Sequence, residues 1–271
     1  MEHEIKSTYL KKFLTEIQYN NRNPKDTKAI ELLNDISTNP ERVLEPGCIL
    51  YRSRIIKNGD KIFGESPFWG FDEKGSFVPP KRATRDMRAN YRYIPYLYCS
   101  NHPYISIVEI RPRLGSCLSM ASLVVTEKIR LLDLTMKNVT AKMTEAKKNL
   151  FEDLSYLYSK PITEDDDILD YIPTQFIAEF AKNIGYDGIA YKSSLTPEYD
   201  ADKSGNFDRF NIVIFNYKKC KVVSSNKICV KSSFLECEQV DLGENKLDVR
   251  GYVQEKLEEI IGIQETYINK N

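Results

Sequence analysis

The sequence of 271 residues is poor in the residue types on which metal sites and hydrolytic triads depend. It has two histidines, His3 and His102, and six cysteines, no two of which have the Cys-x-x-Cys spacing. Because structural zinc sites use closely spaced Cys and His ligands, this pattern argues against zinc. A Ser-His-Asp hydrolase has as little support, since no Gly-x-Ser-x-Gly elbow occurs. We therefore expect no metal and no resident cofactor.

The common phosphate-binding loops and long apolar runs are also missing. Neither a Walker loop nor Gly-x-Gly-x-x-Gly occurs, so a P-loop or Rossmann fold has no support. No stretch approaches the roughly 20 apolar residues of a membrane span, and the N-terminus has no apolar signal region. Lys+Arg and Asp+Glu both number 39, so the formal net charge of zero offers no general attraction to nucleic acid or anionic lipid. We expect a cytoplasmic protein with free thiols that binds neither nucleic acid nor membrane.

Hydrophobic periodicity divides the chain into three parts. Residues 1–42 carry two helical patterns separated by a Pro-containing break, which indicates a helical extension that serves as a cap or an oligomer contact. Residues 43–225 mix short strands and helices without strict βαβ alternation, which favours an α+β domain. Residues 226–271 form a C-terminal extension that ends in an amphipathic helix over 248–262.

Several elements of the central part are predicted from its local patterns. Apolar runs predict strands, and helical spacing predicts two helices, one of which has Pro173 in its first turn. The predicted strands are 48–55, 94–100, 104–110, 117–125, 129–132, 188–191, 211–215 and 221–224. The predicted helices are 137–158 and the one that begins near Pro173. Residues 57–92 indicate a long surface loop, 164–167 a solvated acidic turn, and 195–210 a mobile loop that can act as a lid.

A charged residue in an apolar setting is the sharpest chemical signal. Glu109 lies in the predicted strand 104–110, whose two faces are both largely apolar, so its carboxylate must be paired, protonated or placed to meet a positive charge. Cleavage of an N-glycosidic bond develops an oxocarbenium ion that such a carboxylate stabilises. Arg52 and Arg88 are candidate anion binders, with a salt-bridge role as the alternative. Ser193 and Ser194 follow a glycine-rich turn and can hold a ribose hydroxyl or a phosphate.

An ordered set of short segments carries a resemblance to a known family. The segments are Tyr51-Arg52, Arg88-Ala89-Asn90, Ile94-Pro95-Tyr96-Leu97-Tyr98, Val108-Glu109-Ile110-Arg111-Pro112, Leu131-Leu132-Asp133-Leu134-Thr135, Tyr171-Ile172-Pro173-Thr174-Gln175, Gly185 to Ser194, and Asn211-Ile212-Val213-Ile214-Phe215. Over residues 44–224 the chain resembles the RES-domain proteins, which are named for their Arg, Glu and Ser. No single segment is specific, whereas the ordered set is.

The resemblance implies an ADP-ribosyltransferase-like fold, with a split, mostly antiparallel sheet and a cleft for NAD+. It implies an enzyme that breaks the nicotinamide–ribose bond with NAD+ as substrate. Some members use inorganic phosphate to form ADP-ribose 1″-phosphate and nicotinamide, which makes them glycosyltransferases, and many are toxins held by a cognate antitoxin. The alternatives are an NAD+ glycohydrolase, an ADP-ribosyltransferase acting on a macromolecule, and a non-catalytic nucleotide-sensing module.

The resemblance also assigns roles to residues at matching positions. Arg52 would bind the phosphates of NAD+ or the attacking phosphate, Glu109 would stabilise the ribosyl cation, and Ser193 would contact phosphate or ribose. Tyr98 would line the nicotinamide end. Further predicted substrate contacts are Tyr51, Arg88, Asn90, Gln175, Ser194 and Asn211. Compact toxin members lack the N-terminal helices and the segment 136–170, which would replace or bind an antitoxin or another regulatory protein.

Overall fold

The computed structural model describes residues 4–24, 27–139, 141–160, 168–195 and 209–231. The helices are α1 (Thr8–Thr15), α2 (Lys28–Asn34), α3 (Glu73–Ser76), α4 (Pro103–Val108), α5 (Glu145–Ser159) and α6 (Ile168–Asn183), and a π-helical turn, Glu16–Asn20, extends α1. The strands are β1 (Glu41–Leu44), β2 (Ile49–Ile55), β3 (Phe68–Trp69), β4 (Leu97–Ser100), β5 (Cys117–Val125), β6 (Ile129–Asp133), β7 (Gly188–Tyr191), β8 (Asn211–Ile214) and β9 (Cys220–Cys229).

The strands of the described residues form one nine-stranded sheet in the order β1-β6-β7-β8-β4-β2-β5-β9-β3. All neighbours are antiparallel except the parallel pairs β6–β7 and β3–β9. A mixed fold with a large, mostly antiparallel sheet was predicted and is confirmed. The sheet is weakest in its middle, because β2 and β4 share one register pair, Tyr51 with Ser100, whereas β2 and β5 pair along their whole length. This split creates an opening between the two halves.

The described N-terminal helices share a core with the central part of the chain. Leu10 N–H donates to the Ser7 side chain at the start of α1, and the Ser7 N–H donates to Asp153 of α5 at 2.7 Å. Phe13 of α1 packs against Phe176 of α6 with ring centroids 5.5 Å apart. Both predicted N-terminal helices are present, and they cover the face of the sheet against which α5 and α6 pack.

The predicted strand 104–110 is wrong, because this segment forms helix α4. Pro103 occupies the first turn, and the His102 side chain accepts a hydrogen bond from Tyr104 N–H at 3.2 Å and so caps the helix. A short apolar run is compatible with a buried strand or a buried helix, and here Pro103 and the His102 cap favour the helix. Glu109 therefore caps the C-terminal end of α4 with an exposed side chain, and does not lie on a buried strand.

The predicted free thiols are wrong for one pair of cysteines. Cys117 and Cys229 face each other in the β5–β9 register and form a disulfide. Spacing rules along the chain do not find such a pair, because its members are 112 residues apart and meet only through strand pairing. Cys48, Cys99 and Cys220 are free thiols.

Other predicted elements are refined by the structure. Pro173 lies inside α6, which begins at Ile168. The predicted long loop 57–92 contains β3 and α3. The predicted acidic turn 164–167, most of the predicted lid and the predicted helix 248–262 lie outside the described residues. Within the described ranges, no helix is both long and apolar enough to cross a membrane.

Candidate active site

A cavity of about 280 Å³ opens where β2 and β4 diverge. Its wall combines the middle of β2, the C-terminal ends of α4 and α5, and the segment that follows β7. Of the predicted site residues, the structure brings Tyr51, Arg52, Arg88, Tyr98, Glu109, Ser194 and Asn211 to this wall. Ser193 reaches it through a hydrogen bond to Glu109.

Arg52 fills the split between the two halves of the sheet. Along β4, the backbone groups of successive residues point alternately toward β8 and toward β2. Asn101 N–H donates to the Phe210 carbonyl on the β8 side. The Tyr98 carbonyl, three residues earlier, therefore points toward β2. Arg52 Nη1 donates to this carbonyl at 2.7 Å, where a continued ladder would supply a backbone donor. The guanidinium group thus supplies the hydrogen bond that is missing from the interrupted ladder.

The Arg52 guanidinium also has unused capacity. Its buried Nε has no hydrogen-bond partner among the described residues. Burial, together with a smaller contribution from the positive charge of Arg54, lowers the pKa of Arg52 to about 10. An anion bound beside Arg52 would offset the cost of burying the guanidinium charge next to Arg54, since it would supply the opposite charge.

The Glu109 carboxylate is held by two donors at one oxygen. Ser193 Oγ and Asn211 Nδ2 each donate to Glu109 Oε1 at 2.6 Å. Leu195 N–H donates to Ser193 Oγ at 3.2 Å, which fixes the serine hydroxyl in turn. Neither donor occupies Oε2, and no described residue hydrogen-bonds this second carboxylate oxygen, which can therefore accept from a ligand.

Two glycines place the segment that carries Ser193. Gly185 has φ of 99°, a conformation that glycine adopts without strain, and it turns the chain from α6 toward β7. At Gly188, a Cβ atom would collide with the Val213 carbonyl of β8, so only glycine permits the close approach of these strands. The register that pairs Tyr191 with Asn211 follows from this approach.

Tyrosines make up much of the remaining wall. The Tyr98 hydroxyl donates to Asn90 Oδ1 at 2.8 Å, and the Tyr158 hydroxyl donates to the Thr174 carbonyl at 2.6 Å. The Tyr158 ring packs against Tyr191 with centroids 5.7 Å apart. Burial raises the pKa of all three phenols, which therefore remain neutral near pH 7.

Tyr158 and Tyr191 were not predicted as site residues. Tyr191 had a usable signal, because it lies two residues before Ser193 and therefore on the same side of an extended segment. Tyr158 had none, since it comes from α5, and only the tertiary packing of that helix brings it to the cavity.

Arg88, which was predicted as a candidate anion binder with a salt-bridge role as the alternative, lines the cavity and donates to backbone carbonyls. Its guanidinium group donates to the carbonyl oxygens of Leu157 at 2.8 Å, Tyr158 at 2.5 Å and Lys160. These carbonyls end α5, where a cation is favoured by the helix dipole. Arg88 therefore ties the end of α5, including Tyr158 and Lys160, to the cavity wall.

Asn90 and Gln175, which were predicted to bind substrate, do not line the cavity. Both are buried. The Asn90 amide donates to the carbonyls of Arg85 and Tyr91 at 2.9 and 3.0 Å, and the Gln175 amide donates to those of Met87 and Asn90 at 3.0 Å. Their donors are used to hold the segment that carries Arg88, so they support the wall from behind.

The charges around the cavity are mainly positive. Arg52, Arg88, Arg111, Lys160 and Lys192 contribute to its lining, and Glu109 supplies a carboxylate. Such a set suits an anionic ligand with one centre that develops positive charge. In the part of the chain that the structure describes, no group of three or more His, Cys, Asp or Glu side chains is arranged to hold a metal ion.

Comparison with known proteins gives a family and a weak structural likeness. The chain is similar to a chain in a crystal structure of the M. tuberculosis MbcT-MbcA toxin-antitoxin complex, with 12% sequence identity, a TM-score of 0.43, and coverage of 74% of this chain and 93% of the other. The sequence matches none of the curated proteins. The family model of the RES domain matches residues 49–232, a range that contains the whole described wall of the cavity. The chain therefore belongs to the RES-domain family.

Proposed function

We propose that this protein cleaves the nicotinamide–ribose bond of NAD+, with inorganic phosphate as the acceptor. One observation carries the proposal: Glu109 is fixed through a single oxygen by Ser193 and Asn211, in the same cavity as a guanidinium group with an unused donor. The first feature suits a developing ribosyl cation, and the second suits a phosphate group. Membership of the RES family supports both assignments.

The chemistry assigned to the residues is a displacement at the anomeric carbon of the nicotinamide ribose. The bond from this carbon to the pyridinium nitrogen breaks, its electron pair neutralises the nitrogen, and nicotinamide leaves. A phosphate oxygen forms the new bond, which gives ADP-ribose 1″-phosphate. Glu109 stabilises the positive charge that develops on the sugar, and Arg52, with Lys160 and Lys192, binds phosphate groups.

The proposal extends to the fold class and the cellular role. The split of the sheet between β2 and β4 supports an ADP-ribosyltransferase-like architecture, in which NAD+ occupies the split. We also propose that the activity depletes cellular NAD+ in a toxin-like manner in the cytoplasm, and that a cognate antitoxin restrains it. Growth arrest on expression of the wild type, with normal growth on expression of Glu109→Gln, is the expected outcome.

Incubation of purified protein with NAD+, with and without phosphate, tests the reaction. Nicotinamide release that requires phosphate, together with ADP-ribose 1″-phosphate in the products, is expected. Release without phosphate that gives ADP-ribose would indicate a glycohydrolase, and label transferred from NAD+ to a macromolecule would indicate an ADP-ribosyltransferase. Binding of NAD+ without turnover in any condition would favour a nucleotide-sensing module and refute the enzyme.

Glu109→Gln is the matched variant for the role of the carboxylate. The amide keeps the size of the side chain and one oxygen for the donors Ser193 and Asn211, but it removes the negative charge. We expect turnover to fall by at least about 100-fold, which corresponds to roughly 2.7 kcal/mol of lost transition-state stabilisation. Unchanged melting temperature with unchanged turnover would exclude Glu109 from the chemistry.

A further inference from the structure

Tyr191 is a part of the cavity wall to which no role has been given. It ends β7 and pairs in register with Asn211 of β8, so the two side chains project from the same face of the sheet. Asn211 is the residue whose amide holds Glu109 Oε1. Tyr191 therefore lies beside the carboxylate. Burial is the main cause of the raised pKa of the Tyr191 phenol, and the negative charge of Glu109 is the second.

The Tyr191 hydroxyl differs from the hydroxyls of its neighbours. Tyr98 and Tyr158 direct theirs to Asn90 and to the Thr174 carbonyl, whereas the Tyr191 hydroxyl makes no hydrogen bond to any residue that the structure describes. The ring is nevertheless fixed, because it packs against Tyr158. A fixed ring with an open, neutral hydroxyl can both donate and accept a hydrogen bond.

The position and the chemistry of this hydroxyl suit a sugar better than a phosphate. The cations of the cavity, among them Arg52, Lys160 and Lys192, match phosphate oxygens. A neutral phenol next to a carboxylate is a poor partner for an anion, because the carboxylate repels it. The phenol is a good partner for a hydroxyl group, because such a group can donate to the carboxylate and accept from the phenol.

We propose that the Tyr191 hydroxyl hydrogen-bonds a ribose hydroxyl of the nucleotide beside Glu109 and so makes Tyr191 a specificity-determining contact to the sugar whose glycosidic bond is cut. The inference rests on the proposed cleavage of NAD+ and names a further contact in the same site.

Tyr191→Phe removes only the hydroxyl and is the variant of choice. The control is Tyr186→Phe, which removes the hydroxyl of a buried core tyrosine five residues earlier and away from the cavity. Turnover of NAD+ is measured for both variants and the wild type, together with turnover of NAD+ analogues that lack the 2-hydroxyl or the 3-hydroxyl of the nicotinamide ribose. Affinity for ADP-ribose is measured by calorimetry, and melting temperatures are recorded.

We expect Tyr191→Phe to lower kcat/KM for NAD+ by about tenfold, the effect of one neutral hydrogen bond, while Tyr186→Phe stays close to the wild type. For one of the two deoxy analogues, the wild type and Tyr191→Phe should be equally active, because the contact is already missing. A merely structural role of Tyr191 would lower activity on all substrates alike.

The outcomes separate this inference from the proposed function. Full activity of Tyr191→Phe in an active protein, or the same loss on NAD+ and on both analogues, would overturn the role of Tyr191 and leave the cleavage of NAD+ intact. A wild type that binds ADP-ribose without cleaving NAD+, with weaker binding by Tyr191→Phe, would refute the cleavage and retain the contact. A wild type that neither binds nor cleaves would overturn both.

Discussion

Ser193→Ala separates two roles that the serine of this family signature can have. The resemblance assigns Ser193 a direct contact with phosphate or ribose, whereas the structure has its hydroxyl donating to Glu109 at 2.6 Å. A contact with substrate that is equal in the ground state and the transition state would, once lost, raise KM and leave kcat unchanged. A hydroxyl that positions Glu109 would, once lost, lower kcat with little change in KM, because in the proposed reaction the carboxylate acts on charge that develops only in the transition state.

The magnitude follows from the local hydrogen bonds. A hydrogen bond to a charged group contributes about 1.5–3 kcal/mol, and the exposure of the Glu109 side chain reduces this to about 1 kcal/mol. Asn211 still holds the same oxygen in the variant, so the carboxylate is loosened and not released. We therefore expect kcat to fall about fivefold at saturating NAD+ and phosphate, with KM within twofold of the wild type.

The assay is steady-state release of nicotinamide, with Ser193→Thr as the control that retains a hydroxyl. The threonine variant should recover most of kcat, and both variants should melt near the wild-type temperature. The double variant Ser193→Ala with Asn211→Ala should lose more than the sum of the two single effects, since both donors share one acceptor. A higher KM with normal kcat in Ser193→Ala would refute the positioning role.

Three further changes test the scaffold. Arg52→Lys keeps the charge but loses the planar fork, so KM for NAD+ should rise by roughly tenfold or more in steady-state assays. Reduction of the Cys117–Cys229 disulfide, or Cys117→Ser, should lower the free energy of unfolding by about 4–5 kcal/mol in urea titrations, as a loop of this length implies. Asp133→Ala leaves the Arg42 guanidinium without the buried carboxylate that it contacts at 3.1 Å, and should cost about 3–5 kcal/mol by the same titration. An unchanged midpoint in either unfolding experiment, or an unchanged KM for Arg52→Lys, would contradict the corresponding assignment.

Local patterns predicted most of the strands, because β-rich runs between turn signals are read directly from the sequence. The strands near 48–55, 117–125, 188–191 and 211–215 all appear within a few residues of their predicted limits. The segment 104–110 did not follow this rule, since a short apolar run is also buried well as a helix. Pro103 at the first turn was the available signal for a helix start.

The candidate site was predicted residue by residue, but the roles within it depend on tertiary contacts. No pattern along the chain shows that the side-chain amides of Asn90 and Gln175 donate to backbone carbonyls behind the cavity wall. None shows that Arg88 meets the carbonyls at the end of α5, because the two segments are about seventy residues apart (69 for Leu157). Tyr158 reaches the cavity through the same packing. What could be predicted was the identity of many wall residues, and what could not was the partner of each.

For Arg52, a structural role and the proposed functional role need not exclude each other. The split of the sheet leaves the Tyr98 carbonyl without a backbone donor from β2, and an arginine is well suited to replace it because its fork can serve one acceptor and still offer further donors. The same split forms the cavity, and Arg52 lies on the wall of this cavity. Alanine at this position would remove both the hydrogen bond to the Tyr98 carbonyl and the proposed anion contact, whereas lysine would keep a charge with fewer fixed donors. The difference between these two variants in melting temperature and in KM therefore tests whether the guanidinium group serves the fold alone or also the proposed substrate.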